Sequence, residues 1–355
     1  MNQARQILSR QEYFEDVSRR AAECGPGDRV VLVTMSFDPV DPKVAQLLTE
    51  LAEAARRGVD VRFIMDAYPY LIHGGIQPGP LFWNAKLPER MAGPFGLVAG
   101  AVARLREGGV KVTILNLPHR AYTVPVAGRS HIKFALINDR VYIGGCNLDW
   151  YTKVDVMAAW EDTGAAQWLN ELAVKMVKTG NAREAAGGKD RSFEVSGTDT
   201  LLLDAGVSGR SLIYDEALRL IDEARERVFV VCQFFPNDAT AERLLAAHQR
   251  GVQVEIVYNH ASRQPFPHNF LHHLVEVRER WRLPASFFVQ ALRADRPLLH
   301  AKLIATEQGM IMGSHNFVSA GVRLGTAEIA LKTTDTVFGQ AVVDNLRTQI
   351  NARHN

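Results

Sequence analysis

The sequence predicts an α/β fold in which two related units, each a mixed β-sheet flanked by helices, meet about a pseudo-twofold axis. Two repeated frames carry this prediction. The first pairs VVLVTMSFDP (30–39), a helical stretch and RGVDVRFIMD (57–66) with VFVVCQFFPN (228–237), a helical stretch and RGVQVEIVYN (250–259). The second pairs HIKFALINDRVYIGGCN (131–147) with HAKLIATEQGMIMGSHN (300–316). A chain that repeats itself in this way uses one grammar of strands and helices twice, and such layers bury a common core.

Each element follows from its own pattern. The runs at 30–39 and 228–237 are short, apolar and rich in Val and Phe, as buried strands are. PKVAQLLTELAEAARRG (42–58) and TAERLLAAHQRG (240–251) carry apolar residues at spacings of three and four and end at Gly, as a helix C-terminus prefers. The next strands end at Asp66 and Asn259, each nine residues after its Arg. GLVAGAVARLREGGVKVTILN (96–116) adds a helix and a strand to the first half. DAGVSGRSLIYDEALRLIDEA (204–224) opens a helix with Ser211 as N-cap, the alternative there being an anion site. KTGNAREAAGGKDRSFEVSG (178–197) is polar and Gly-rich, so the units are expected at 1–180 and 198–355 with 181–197 joining them. The first half is longer before its His, and the extra residues include YPYLIHGGIQPGPLFWN (68–84), which has no clean period.

Composition narrows the function. A chain of 355 residues with 47% hydrophobic content buries a large core. Its 41 basic and 39 acidic residues leave a net charge of +2, so no chain-wide field draws it to nucleic acid or anionic membranes. Cys24, Cys146 and Cys232 lie far apart without metal-ligand spacing, which excludes a disulfide framework and points to a reducing compartment, the cytoplasm. The opening MNQARQILSRQEYFED lacks the apolar stretch of an export signal, and FGLVAGAVA (95–103) is too short to span a bilayer.

Alternate side chains of a strand share a face, so His131 projects with Lys133, and His300 with Lys302. Two such strands meeting across the axis place two imidazoles and two ammonium groups round one pocket. Imidazole is a nucleophile or general acid near neutral pH, and Lys supplies compact positive charge for phosphoryl oxygens. Asn147 and Asn316, beyond each Gly turn, add hydrogen bonds to those oxygens. Neither half offers a cluster of metal ligands, so no metal or cofactor is expected.

On these residues the chain resembles the phospholipase D superfamily, whose signature is His-x-Lys-x-x-x-x-Asp followed by Gly-Ser-x-Asn or a near variant. HIKFALIN with GGCN and HAKLIATE with GSHN carry it in both halves. The resemblance implies two phospholipase D-like repeats with the active site between them and catalytic His131, Lys133, Asn147, His300, Lys302 and Asn316. It also gives Ser314 to substrate binding. The family's Asp, which mainly supports a loop, is here Asn138 in the first copy and Glu307 in the second. The acid that orients each His lies downstream in the family. Glu328, 28 residues after His300, suits that role for His300, and Asp155, 24 after His131, for His131, with Glu161 and Asp162 as neighbours. Such a carboxylate on Nδ1 is expected to fix the tautomer and raise the His pKa.

The implied activity is that of a phosphodiesterase or phosphatidyltransferase working through a phosphohistidine, with His131 as nucleophile and His300 serving as acid and then base. The implied substrate is a phospholipid, in the manner of bacterial cardiolipin synthases and phospholipases, with water or an alcohol as acceptor. Phe82, Trp83, Phe266 and Phe270, in aromatic stretches before the two His residues, are candidates for the pocket rim and for peripheral contact with the inner membrane face. One rival is a nuclease, whose basic groove would use RERWRL (278–283) with His268, His272 and His273. A second is a non-catalytic binding protein, prompted by Asn138 and Glu307. Hydrolysis of a generic phosphodiester separates it from the enzymes.

Overall fold

The computed structural model describes residues 5–67, 94–117, 128–148, 154–259, 268–284 and 299–351, with side chains in the helices at Pro94 and His268 described from Leu97 and Leu274 onward. In the first half the elements are β1 (Gln6–Ser9), α1 (Arg10–Glu23), β2 (Arg29–Thr34), α2 (Pro42–Arg56), β3 (Asp60–Asp66), α3 (Pro94–Glu107), β4 (Lys111–Leu115), β5 (Phe134–Ile137), β6 (Arg140–Gly144), β7 (Val156–Glu161) and α4 (Thr163–Thr179). Two short elements follow, α5 (Ala182–Ala185) and β8 (Arg191–Glu194). The second half runs β9 (Asp199–Ala205), α6 (Leu212–Glu223), β10 (Arg227–Cys232), α7 (Asp238–Gln249), β11 (Gln253–Tyr258), α8 (His268–Arg282), β12 (Leu303–Thr306), β13 (Gly309–Gly313), α9 (Ser319–Leu324), β14 (Ala327–Thr333) and α10 (Thr336–Asn351).

Local chemistry accounts for the boundaries. Asp41 caps α2 by accepting from the backbone N–H of Lys43 and Val44, and Pro42 begins the helix where its missing N–H costs nothing. Ser211 caps α6 through Tyr214 N–H, as its position predicted. Asn138 turns the β5–β6 hairpin at φ +53°, a left-handed conformation that Asn tolerates well.

Two seven-stranded mixed sheets result, ordered β1-β7-β6-β5-β2-β3-β4 and β11-β10-β12-β13-β14-β9-β8. In each, the strand–helix–strand unit gives a parallel pair (β2 with β3, β10 with β11), while the hairpin that follows runs antiparallel. The repeat begins with β1, four residues, and β9, seven residues, which pair antiparallel with β7 and β14. Segment 181–197, read as a plain connection, carries α5 and β8, and β8 pairs with β9 at the edge of the second sheet.

The sheets share one core. Val33, Phe134 and Ile143 of the first and Val231, Leu303 and Met312 of the second are buried together with Leu169 and Met176 of α4 and Val342 and Leu346 of α10. Separate outer layers seat α1 and α2 on the first sheet and α6 and α7 on the second. Each large aliphatic side chain so buried contributes about 1.5–3 kcal/mol, so the interface between the halves is as much a folding core as either half's own.

Candidate active site

The His-x-Lys triplets lie in extended chain just ahead of β5 and β12, not within the ladders as the alternation predicts. What holds them there comes from β3 and β11. Asp66, the last residue of β3, accepts from Ser130 N–H at 2.8 Å and from Asn116 Nδ2 at 2.6 Å. Asn259, just past β11, accepts from Leu299 N–H at 2.9 Å and donates to Leu299 C=O at 2.6 Å. The residue preceding each His is thus pinned by the matching position of each repeat. Sequence reasoning noted that Asp66 and Asn259 share a frame but gave them no task.

The same lead-ins are stitched to the opposite half. His131 N–H donates to Ala327 C=O at 2.8 Å, and Ala327 N–H donates to Arg129 C=O at 2.7 Å. His300 N–H donates to Val154 C=O at 2.9 Å. Ala327 and Val154 immediately precede the two carboxylates, so each acid is delivered to the other repeat's imidazole. His131 Nδ1 lies 3.0 Å from Glu328 Oε2, and His300 Nδ1 lies 2.7 Å from Asp155 Oδ2. This corrects the expected pairing of Glu328 with His300 and Asp155 with His131. The acids are the right residues, but they act crosswise because the two lead-ins pair across the interface and not within a half.

Strand register makes Asp155 and Glu328 equivalent, since Met157 faces Gly144 and Ala330 faces Gly313. Helix α9 fills the longer loop of the second half, which accounts for the unequal offsets from the His residues. Glu161 ends β7 and Asp162 caps α4, so neither neighbour competes for the role. The lysines are buried, Lys133 completely, and each donates to the carbonyl of its own His, Lys133 at 2.7 Å.

Electrostatics at His131 also departs from expectation. Burial, reinforced by the charges of Lys133 and Lys302, outweighs Glu328 and lowers the imidazole to about 4. The carboxylate therefore fixes the tautomer, and the rise it gives the pKa does not offset burial. Burial opposes ionisation of Glu328 too, but His131, then His315 and Lys133, hold it down to about 2. At neutral pH the pair is a neutral imidazole donating from Nδ1 to a carboxylate, leaving Nε2 with a lone pair. That Lys302 acts on His131 shows that the two motifs share one electrostatic environment.

The remaining residues divide. Ser314, expected to bind substrate, is fully buried, and its hydroxyl donates to Glu328 while accepting from Ile329 N–H at 2.9 Å, which braces the acid. Asn147 Oδ1 and Asn316 Oδ1 are buried with no hydrogen-bond partner among the described residues. Asn138 Oδ1 accepts from Arg29 N–H at 3.0 Å, and Glu307 accepts from the N–H groups of Arg225, Glu226 and Arg227 at 2.7, 3.3 and 3.1 Å. Both tie a hairpin to the start of the neighbouring strand. Phe82, Trp83 and Phe266 lie outside the described residues, as does the side chain of Phe270, which falls in α8. Among the described residues no group of His, Cys, Asp and Glu is arranged to hold a metal, and no helix is long and apolar enough to cross a membrane.

The profile of the family described as "Cardiolipin synthase, PLD-like domain" matches residues 22–176 and 217–352, one match per repeat. The cardiolipin synthases A of Pectobacterium atrosepticum and Pectobacterium carotovorum are each 26% identical over 329 residues, covering 83% of this chain and 59% of the relative. The chain thus spans about six-tenths of the length of these curated relatives. Among solved structures, phosphatidylserine synthase of Haemophilus influenzae superposes with a TM-score of 0.73 at 15% identity, covering 98% of this chain and 86% of the other. A polyphosphate kinase from Porphyromonas gingivalis superposes with a TM-score of 0.58 at 12% identity, covering 98% and 50%. These two likenesses concern the fold. With both repeats matched and a His-x-Lys motif in each, the chain belongs to the phospholipase D-like family that includes the cardiolipin synthase domains.

Proposed function

We propose that this protein is a phosphatidyltransferase or phosphodiesterase that acts on phospholipids through a phosphohistidine. The observation that carries the reading is the pair of crosswise His–carboxylate contacts, His131 with Glu328 and His300 with Asp155, each beside a buried Lys. His131 Nε2 attacks phosphorus, the bond from phosphorus to the leaving oxygen breaks, and His300 gives that oxygen a proton. His300 then takes a proton from water or an acceptor alcohol, whose oxygen attacks phosphorus as the P–N bond breaks. The low pKa of His131 supports its part, because a nucleophile must start unprotonated. Lys133 and Lys302 offset the phosphoryl charge. The unpartnered amide oxygens of Asn147 and Asn316, a cost of about 1–3 kcal/mol each, support a polar role for both asparagines in the pocket.

A phospholipid substrate is supported by the name of the curated relatives, cardiolipin synthase A, and an alcohol acceptor and a place at the inner membrane face are proposed with it. The nuclease reading loses ground in RERWRL. Arg278, Arg280 and Arg282 are paired with Asp238, Glu276, Glu279 and Glu242 and alternate with the exposed Leu274, Val277 and Trp281, so this stretch offers a mixed apolar and cationic face and not a continuous basic groove. Incubation with mixed phospholipids and oligonucleotides, with products read by mass spectrometry, tests the proposal. Released headgroup or transferred phosphatidyl group is expected. Cleaved oligonucleotide with intact lipid would replace it with the nuclease, and no product from either would favour a binding protein.

A further inference from the structure

Helix α8 is amphipathic in the reverse sense. Its acids face inward: Glu276 is 3% exposed and accepts from Tyr258 Oη at 3.1 Å, while Glu279 is fully buried and accepts from Arg278 Nε at 2.7 Å. Among the described side chains, three of its four apolar residues in 274–282 face outward, Val275 being half-buried. Leu274, Val277 and Trp281, spaced as one stripe of a helix, are all exposed, Leu274 at 50% and Trp281 at 88%. Carboxylates ordinarily take the water side and large apolar groups the core, so an inverted helix marks a surface meant for something other than water.

We propose that the outer face of α8 docks on the surface of a phospholipid bilayer, an inference that rests on the phospholipid reading and says where the membrane is met. Charge favours this occupant. Beside the stripe, Arg278, Arg280 and Arg282 present their guanidinium groups, with side-chain exposures of 52%, 39% and 45%, while the partners Glu276 and Glu279 lie beneath; Glu242 is an exposed acid at the margin. A phosphate headgroup layer therefore meets arginine first, and the indole and leucine reach the apolar boundary below it, where an amphipathic ring is stable.

The face is tied to the candidate active site. Arg278 donates to Asp238 at 2.9 Å, Arg323 donates to the same carboxylate at 3.4 Å, and Ser319 also donates to it. Ser319 begins α9 just after Asn316, and α9 leaves Leu324 and Arg323 exposed. Asp238 thus joins the lipid-facing helix to the loop that carries the second asparagine, which sets the site's rim at a fixed height over the membrane plane.

The test uses the full chain, with vesicles of phosphatidylcholine alone and of equal parts phosphatidylcholine and phosphatidylglycerol. The double variant Leu274→Ser/Trp281→Ser is compared with Val337→Ser, which alters an equally exposed apolar residue on α10. Sedimentation with vesicles should fall by about tenfold or more in the double variant and stay unchanged in Val337→Ser. Turnover of a short-chain phospholipid below its micelle concentration should be the same in all three. No vesicle binding by the unaltered protein, or equal binding by the double variant, overturns the proposal. So does a dimer that the double variant converts to monomer with vesicle binding intact, or an oligonucleotide held by this face in place of vesicles. Vesicle binding that depends on Trp281, in a protein that turns over no phospholipid, would sink the functional reading and leave the docking face standing.

Discussion

Gly145 stands where a Cβ would come within 2.5 Å of Asp155 Oδ1, so the carboxylate that holds His300 occupies the room a side chain would take. The second repeat solves the same problem differently. Ser314 fills the matching position, and its hydroxyl accepts from the Ile329 N–H, just as Asp155 Oδ1 accepts from Val156 N–H at 2.9 Å in the first. Gly with Asp and Ser with Glu are therefore two compatible pairs. Gly145→Ser alone should displace Asp155 and lower kcat by about 10–100-fold. Gly145→Ser/Asp155→Glu, which copies the second repeat, should recover part of that loss. A single variant with unchanged kcat would show that the carboxylate does not need this space.

The depressed pKa of His131 makes stability depend on pH in a stated direction. Between the ordinary value of 6.5 and about 4, the unfolded chain takes a proton that the folded chain refuses, so stability falls as pH falls through that window. The loss is on the order of 3 kcal/mol over the window. Below it Glu328 continues the trend, since its carboxylate is ionised down to about 2 in the folded protein against 4.5 when free. Urea midpoints measured from pH 7 to pH 4 should decline in the unaltered protein and less steeply in His131→Gln. Identical slopes would place the titration elsewhere.

Asn259 both gives and accepts a hydrogen bond at Leu299, from the separate nitrogen and oxygen of its amide. Asn259→Asp keeps the acceptor and removes the donor, leaving a buried carbonyl facing a carboxylate. A loss of about 2–3 kcal/mol in unfolding free energy is expected, with a fall in kcat because the lead-in to His300 loosens. Asp66→Asn keeps an acceptor for Ser130 N–H but removes the carboxylate charge that faces the buried Arg129 guanidinium at 3.7 Å, so it should cost at least as much. An Asp66→Asn protein as stable as the unaltered one would contradict this.

The repeats were legible because strand and helix periods recur along the chain in the same frame, and the two His-x-Lys motifs because they sit inside that frame. The acids were legible from their place in the matching strand. Their crosswise assignment was not. The spacing from His131 to Asp155 is the same number whether Asp155 serves its own repeat or the other, and only the bridges from Val154 and Ala327 to the opposite lead-ins decide it. Strand β1 escaped for a similar reason: QILS is short, and what holds it extended is its pairing with β7, far away in the chain. Asn138 and Glu307, departures from the family's Asp, each tie a hairpin to the start of the neighbouring strand.

The surroundings of the two imidazoles decide which is phosphorylated. His131 is neutral at working pH and has Nε2 available while Glu328 takes its Nδ1 proton, the state a nucleophile requires. His300, held at Nδ1 by Asp155 at 2.7 Å, is left the part of giving and retrieving the proton. In His300→Ala, a substrate whose leaving group needs no proton should still phosphorylate His131, and the adduct should then persist because no base activates water. In His131→Ala no adduct should form. Intact-protein mass measurement after mixing, followed by peptide mapping, distinguishes the cases. An adduct on His300 in the His131→Ala protein would reverse the two roles while keeping the two-histidine mechanism, and an adduct in neither variant with activity retained would remove the covalent step altogether.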